Sequence, residues 1–265
     1  MGVSGSCVAD TSAIGSVLIP AMKKDGYPAA YSAAVTGATS TIGHIIPPSI
    51  PMILIGGLVE LPIGNLFLAG AIPGILLGLS MLAYCYFVGI KRKYPKTEKR
   101  EKFGELLRET SQSVSNLLMI IATAGFFGWV MVNTGVGDQL VNLILSISTN
   151  KFVVLTLLII FLLAIGCVLD VLAMIFIFIP VMIPLVEKVG IDPFHFSAVF
   201  VLALGIALLT PPMGLILYLV KDMADASLAD VLKETFPFLI VQFAVLLLVA
   251  YVPVLSTWLP SLLLK

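Results

Sequence analysis

Charge is what this sequence has least of. Only 11% of its 265 residues are Asp, Glu, Lys or Arg, 59% are apolar, and the mean hydropathy is +1.11. A soluble domain carries about 25% charged residues, so a soluble enzyme and a basic nucleic-acid-binding module are both excluded. The fifteen basic residues equal the fifteen acidic ones, and net charge therefore selects no partner. Cysteine is scarce too. Cys7, Cys85 and Cys167 form no even set and no CxxC pair, and each lies in apolar sequence, so neither a disulfide nor a metal site is expected. A charged n-region leading into an apolar stretch and a small-residue cleavage site is missing, so no signal peptide is read at the start. No ten-residue segments alternate apolar and polar as barrel strands would.

What is present is long apolar runs, such as Phe152 to Val168 continuing to Ile183, which read as membrane-embedded helices. The fold class expected is all-α, a polytopic helical membrane protein. Ser12 to Met22 is too short to cross alone. Ala29 to Val59 is long enough, but Pro47, Pro48 and Pro51 interrupt it, and a helix cannot carry its hydrogen bonds through such a cluster. Two half-helices joined by extended chain are expected. Leu66 to Ile90 reads as a plain span, with Tyr84, Tyr86 and Tyr94 at a basic, interfacial end. Eight of the fifteen basic residues fall between Lys91 and Arg108, which places that segment on the cytoplasmic side. Asn116 to Asn133 spans again. Phe152 to Val186 reads as a spanning helix followed by a re-entrant arm, Phe196 to Val220 breaks at Thr210-Pro211-Pro212, Asp222 to Glu234 is a polar surface stretch, and Phe236 to Leu264 is a final span.

Internal similarity organises these segments. Cys7-Val8-Ala9-Asp10 recurs as Cys167-Val168-Leu169-Asp170, and Ile19-Pro20 as Ile179-Pro180, at an offset of 160. After a four-residue insertion the offset is 164, where Gly26 meets Gly190 and Pro47-Pro48 meets Pro211-Pro212. Each copy is a re-entrant hairpin followed by a broken helix, and the copies are inverted if an odd number of spans separates them. Four regions follow. Residues 1–64 hold the first hairpin arm and broken helix, and 65–150 hold scaffold helices with a basic linker at 91–113. Residues 151–221 hold the second hairpin and broken helix, and 222–265 a surface stretch and C-terminal scaffold helix.

The breaks are where chemistry is expected. Proline frees carbonyls earlier in the chain, hard oxygen ligands suited to sodium, and hydroxyls of Ser4, Ser6, Thr39, Ser40, Thr41 and Thr210 stand close in sequence. Half-helix N-termini present free amides that favour a carboxylate. Asp10 and Asp170 are ionisable groups in apolar arms, either coupling residues or caps of the second hairpin arm. His44, beside the first break, reads as structural because Leu208 stands at its counterpart. His195 is expected at the interface.

At these residues the sequence resembles the large membrane (DctM-like) subunit of TRAP (tripartite ATP-independent periplasmic) transporters. Gly2-Val3-Ser4-Gly5-Ser6, Gly43-His44-Ile45-Ile46-Pro47-Pro48-Ser49-Ile50-Pro51, Gly190-Ile191-Asp192-Pro193 and Leu209-Thr210-Pro211-Pro212-Met213-Gly214 carry the likeness. It implies sodium-coupled uptake of an organic acid (a C4-dicarboxylate, sialic acid or similar) by an elevator motion in a bacterial or archaeal cytoplasmic membrane. The implied partners are a small four-helix membrane subunit (DctQ-like) and a periplasmic binding protein (DctP-like), with sodium as coupling ion and no other cofactor. It further implies a first sodium site at Ser4, Gly43, Ile46 and Pro48 and a second near Leu169, Thr210, Pro212 and Met213. Ser6 and Thr39 to Thr41 then lie close to the substrate. The sequence departs from the family's usual residues at His44, Ala203 and Ala207. Family members carry further helices before the Ser-Gly-Ser stretch, so a fragment, a mis-called start or half of a split gene is expected. Competing readings are a binding-protein-independent sodium:dicarboxylate or citrate carrier, an inactive fragment, and an intramembrane aspartyl protease. The protease reading draws on the GxGD match at Gly135-Val136-Gly137-Asp138.

Overall fold

The computed structural model describes residues 5–94, 150–212 and 214–263. The expected linker beyond Tyr94, the span at 116–133, the GxGD match, Ser4 and Met213 lie outside them. All regular structure among the described residues is helical: α1 (Cys7–Lys24), α2 (Ala29–Ser40) running into a 3-10 turn (Thr41–His44), α3 (Ile50–Val59), α4 (Ile63–Lys91), α5 (Lys151–Gly166), α6 (Val171–Val189), α7 (Pro193–Ala207), α8 (Leu215–Ala224), α9 (Leu228–Tyr251) and α10 (Val254–Leu263). Three of these, α4, α6 and α9, are long and apolar enough to cross a membrane.

Each boundary has a local cause. Ser6 caps α1, its hydroxyl accepting from the Ala9 amide at 3.4 Å, and Asp170 caps α6 through the Leu172 amide at 2.9 Å. Gly26 and Gly190, with φ of 92° and 79°, turn the chain back after α1 and α6. Asp192 caps α7, and Ser227 caps α9. Within the polar stretch at 222–234 the chain is helical from Leu228 onward, because Ser227 accepts from the Asp230 amide and starts the turn there.

These landmarks correct the register of the internal match. Helix starts at Cys7 and Val171, Ile19-Pro20 and Ile183-Pro184, the glycine turns and the two Pro-Pro pairs all stand 164 residues apart. The Cys-Val-x-Asp likeness at 160 is therefore out of step with the helices, and no insertion is needed. Sequence equivalence had paired Asp10 with Asp170, but the residue in Asp170's place is Ser6. Asp10 instead lies inside the first turn of α1, buried. The correspondence continues beyond the breaks. Glu60 and Asp225 close α3 and α8 with φ of 56° and 52°, and the long helices that follow carry Pro73 and Pro237.

α7 is the axis of the bundle, buried at every position from His195 to Ala207. α9 runs alongside both α2 and α7. Close to its middle Phe238 packs on Tyr31 of α2, with ring centroids 6.4 Å apart, and one turn on Gln242 reaches Ala38 near the end of α2. Near its end the Ala250 carbonyl meets His195 Nε2 of α7 at 3.2 Å. From Phe238 to Gln242 α9 meets α2 from Tyr31 toward its end, whereas α7 starts beside Ala250 and comes back to Thr41 at Gly205, so α2 and α7 run in opposite directions. His195 is thus buried between α7, α9 and α10, its Nδ1 2.7 Å from the Ser256 hydroxyl. Packing is reciprocal as well: α1 lies on α8, and α6 lies on α3.

One end of the bundle collects the polar anchors. Arg92, just past α4, bonds both carboxylate oxygens of Glu234 at 2.7 and 2.8 Å and the Tyr94 hydroxyl at 3.0 Å, while Tyr27, Tyr31 and Tyr94 cluster beside it. At the same end Lys23 Nζ donates to the Ala224 carbonyl at 2.6 Å, closing the C-terminus of α8 with a cation. α4 buries Gly70, Gly74 and Leu77 and exposes Ile75, Leu79, Leu82 and Phe87 on its other face. A helix apolar on both faces fits lipid on one of them.

Candidate functional site

Two breaks interrupt the bundle, one between the 3-10 turn and α3, the other between α7 and α8. The Pro47–Pro48 and Pro211–Pro212 peptide bonds are both cis. At the first break, the prolines remove the amides that would have bonded the carbonyls of Gly43 and His44 four residues back. The Ser49 hydroxyl donates to the His44 carbonyl and accepts from the Met52 amide at 3.2 Å, so one side chain repairs the break and caps α3. Gly43 keeps a carbonyl whose α-helical donor position is Pro47.

At the second break both freed carbonyls are taken up by the backbone. The Thr210 amide donates to the Ala207 carbonyl at 3.0 Å and the Ile216 amide to the Leu208 carbonyl at 3.2 Å. The two breaks match in outline and differ in what they leave available.

Each break faces a tip, formed by the residues just before α1 at the first and by the turn between α5 and α6 at the second. Gly5, with φ of 76°, lies directly on the first: its carbonyl accepts from the Ile50 amide at 3.3 Å, and a Cβ at Gly5 would collide with the Pro48 carbonyl oxygen. Cys7 Sγ lies 3.1 Å from His44 Nε2, and the Thr11 hydroxyl donates to Ser40 Oγ at 2.7 Å. The first tip is sewn to its break. The second tip, Cys167 to Asp170, faces α8 across a cavity of about 450 Å³ whose lining includes Leu169, Asp170, Pro212 and Tyr218. α8 begins there at Gly214; the Leu208 carbonyl holds the Ile216 amide, and no side chain caps the helix start.

The expected site residues divide accordingly. Gly43, Ile46 and Pro48 gather around the first break, and Pro48 is brought against Gly5, next to Ser4 in sequence. Leu169 and Pro212 share the second cavity. Thr210 turns its hydroxyl back to the Ile206 carbonyl at 2.8 Å. Thr39, Ser40 and Thr41 likewise donate to Val35, Gly37 and Ala38 at 2.7, 2.7 and 2.8 Å, and Ser40 and Thr41 are buried between helices. Ser6 stands at the N-terminus of α1.

Sequence reasoning passed over Ser49, Cys7, Tyr218 and Gln242. Gln242, in the apolar middle of α9, carried a signal, since a lone amide inside a spanning helix is expected to find a partner on a neighbouring helix.

These features define a helical membrane protein in which the residues before α1 and the turn before α6 are set against two Pro-Pro breaks. The family model for the DctM component of the tripartite ATP-independent periplasmic transporter matches residues 1–105 and 95–255. The chain belongs to that family, one of transporter permeases and not of enzymes, which removes the protease reading. The sialic acid TRAP transporter large permease protein SiaM of Vibrio cholerae is 30% identical over 318 positions, covering 98% of this chain and 74% of SiaM. That alignment is longer than the chain, so SiaM has residues inside the matched stretch that this chain lacks. The isethionate TRAP transporter permease protein DctMQ of Oleidesulfovibrio alaskensis is 30% identical over 95% of the chain, which spans 49% of that longer protein. The C4-dicarboxylate TRAP transporter large permease protein DctM of Pseudomonas aeruginosa is 26% identical, with 98% and 74% covered.

Proposed function

We propose that this chain is the substrate-translocating part of a sodium-coupled importer of an organic acid, working in a bacterial or archaeal inner membrane with several crossings. The observation that carries the proposal is that the family match runs through both Pro-Pro breaks. The relatives' names cover sialic acid, isethionate and C4-dicarboxylates, which share an anionic group and little else. An anion is therefore the substrate class, delivered by a periplasmic binding protein to a permease completed by a small membrane subunit.

The two halves act as inverted copies. The constant 164-residue register, the opposite directions of α2 and α7, and the exchanged packing of α1 on α8 and α6 on α3 support this. In this scheme the freed Gly43 carbonyl, with those of Ile46 and Pro48 and Ser4, holds one sodium. Leu169, Thr210, Pro212 and Met213 hold the second. The uncapped α8 N-terminus favours the substrate's anionic group. Asp170 lines the same cavity, and its negative charge opposes an anion there until a cation offsets it. Sodium binding and anion binding are thereby linked at one tip, and Asp170 acts as cap and coupling residue together. An elevator motion then carries the hairpins and breaks past the remaining helices.

The test is uptake of radiolabelled organic acids into proteoliposomes holding this chain with its binding protein and small subunit, with an inward sodium gradient and with potassium in its place. Uptake only under the sodium gradient supports the proposal. Uptake indifferent to sodium sinks the coupling mechanism, and uptake without the binding protein supports the independent carrier.

A further inference from the structure

The first break depends on a side chain far from it in sequence. Gln242 is buried in the middle of α9, and its amide nitrogen donates to the Ala38 carbonyl at 3.2 Å and to Thr41 Oγ1 at 3.2 Å. Ala38 is in the last turn of α2, where the helix tightens into the 3-10 turn that leads to Gly43 and the Pro-Pro pair. Thr41 opens that turn, and its own hydroxyl donates to the same Ala38 carbonyl at 2.8 Å. One amide thus closes a three-membered network at the point where α2 stops being an α-helix. The end of a helix leaves carbonyls without intrahelical donors, and in a water-poor interior another helix must supply them.

The counterpart position supplies nothing of the kind. With Pro73 and Pro237 in register, the place of Gln242 on α4 is taken by Gly78, which has no side chain and only Ile42 Cδ1 at 4.0 Å from where a Cβ would stand. The place of Thr41 is Gly205, which has no hydroxyl. The second break instead satisfies its freed carbonyls from its own backbone.

We propose that Gln242 is a positioning residue of the first break: its amide holds the Ala38–Thr41 turn so that the Gly43 to Pro48 carbonyls keep the arrangement that binds a cation. The inference rests on the cation-binding reading of that break, but its structural core is measurable without transport. α9 thereby becomes part of the body that carries the first site, although the sequence assigns it to the scaffold.

The experiment is hydrogen exchange on the purified full chain in nanodiscs, comparing wild type with Gln242→Leu, Thr41→Val and the double variant. Exchange at the amides of Ile42 to Ile46 should rise about three- to tenfold in Gln242→Leu, while amides of Leu208 to Thr210 stay as they were. The double variant should fall short of the sum of the single ones, because both remove the Gln242–Thr41 contact. Thr41→Ser, which keeps the hydroxyl, should match wild type, and Thr41→Val against Thr41→Ser preserves the test if Gln242→Leu does not fold. In uptake assays Gln242→Leu should raise the half-saturating sodium concentration severalfold with the maximal rate nearly unchanged. Unchanged exchange at the first break, an equal rise at both breaks, or a lowered maximal rate at unchanged sodium dependence would overturn the proposal. If wild-type uptake ignores sodium, the transport reading fails, and the exchange arm alone decides what Gln242 does.

Discussion

Thr41 packs against Gly205, and each lies six residues before its own Pro-Pro pair. A Cβ built at Gly205 would stand 3.3 Å from Thr41 Cβ, closer than ordinary contact. Where two antiparallel helices cross at equivalent positions, one point can hold only one side chain. Here Thr41 occupies it and Gly205 yields.

The first prediction follows from that crossing. Gly205→Val places branched carbons on Thr41 in a helix buried all round, and overpacking of this kind costs about 1–3 kcal/mol. A lowered midpoint of thermal unfolding in detergent is the expected outcome. Exchanging the pair, Thr41→Gly with Gly205→Thr, should recover part of the loss, because the volume at the crossing is restored. No recovery would show that the clash lies elsewhere.

Ser49 makes a sharper case. Its hydroxyl caps α3 through Met52 and repairs the His44 carbonyl freed by Pro48, so Ser49→Ala removes both at once. Loss of a cap costs about 1 kcal/mol, and an unsatisfied buried carbonyl about 1–3 kcal/mol more. Denaturant unfolding should show the combined loss, with Ser49→Thr retaining most of the stability.

Much of this was legible in the sequence, for a physical reason. Proline clusters and turn glycines act locally, so the breaks and the turns at Gly26 and Gly190 could be read from chain chemistry alone. Roles filled by unlike residues were harder. Ser6 and Asp170 do the same capping work with different side chains, and the Cys-Val-x-Asp resemblance, common letters in apolar sequence, drew the register four residues away. Contacts between distant segments left no local trace. The Cys7–His44 pair, the Gln242 amide and the cavity beside Asp170 exist only once α9 and the two tips are placed.

Two glycines with similar dihedral angles separate backbone conformation from contact. Gly190 has φ of 79° with nothing within 4 Å of a built Cβ, whereas Gly5 has φ of 76° and would drive a Cβ into the Pro48 carbonyl. Gly190→Ala should cost about 1 kcal/mol and leave uptake intact. Gly5→Ala should abolish uptake while the protein is still made and inserted, because the first tip can no longer close on its break. Equal effects of the two substitutions on transport would remove Gly5 from the site.

The native cysteines report on the two tips without any engineering. Cys167 lines the cavity at the second tip and keeps 8% of its surface exposed, its thiol donating to the Leu163 carbonyl, whereas Cys7 is fully buried against His44 at the first. A small maleimide should therefore modify Cys167 well ahead of Cys7 when each is read in a variant carrying Ser at the other two cysteine positions. If the cavity takes sodium and an anion together, both ligands added at once should slow labelling of Cys167 by more than either alone, since each makes the other's binding easier. Labelling of Cys7 should be indifferent to both. Protection at Cys7 instead of Cys167 would put ligand entry at the first tip and reverse the roles of the two breaks.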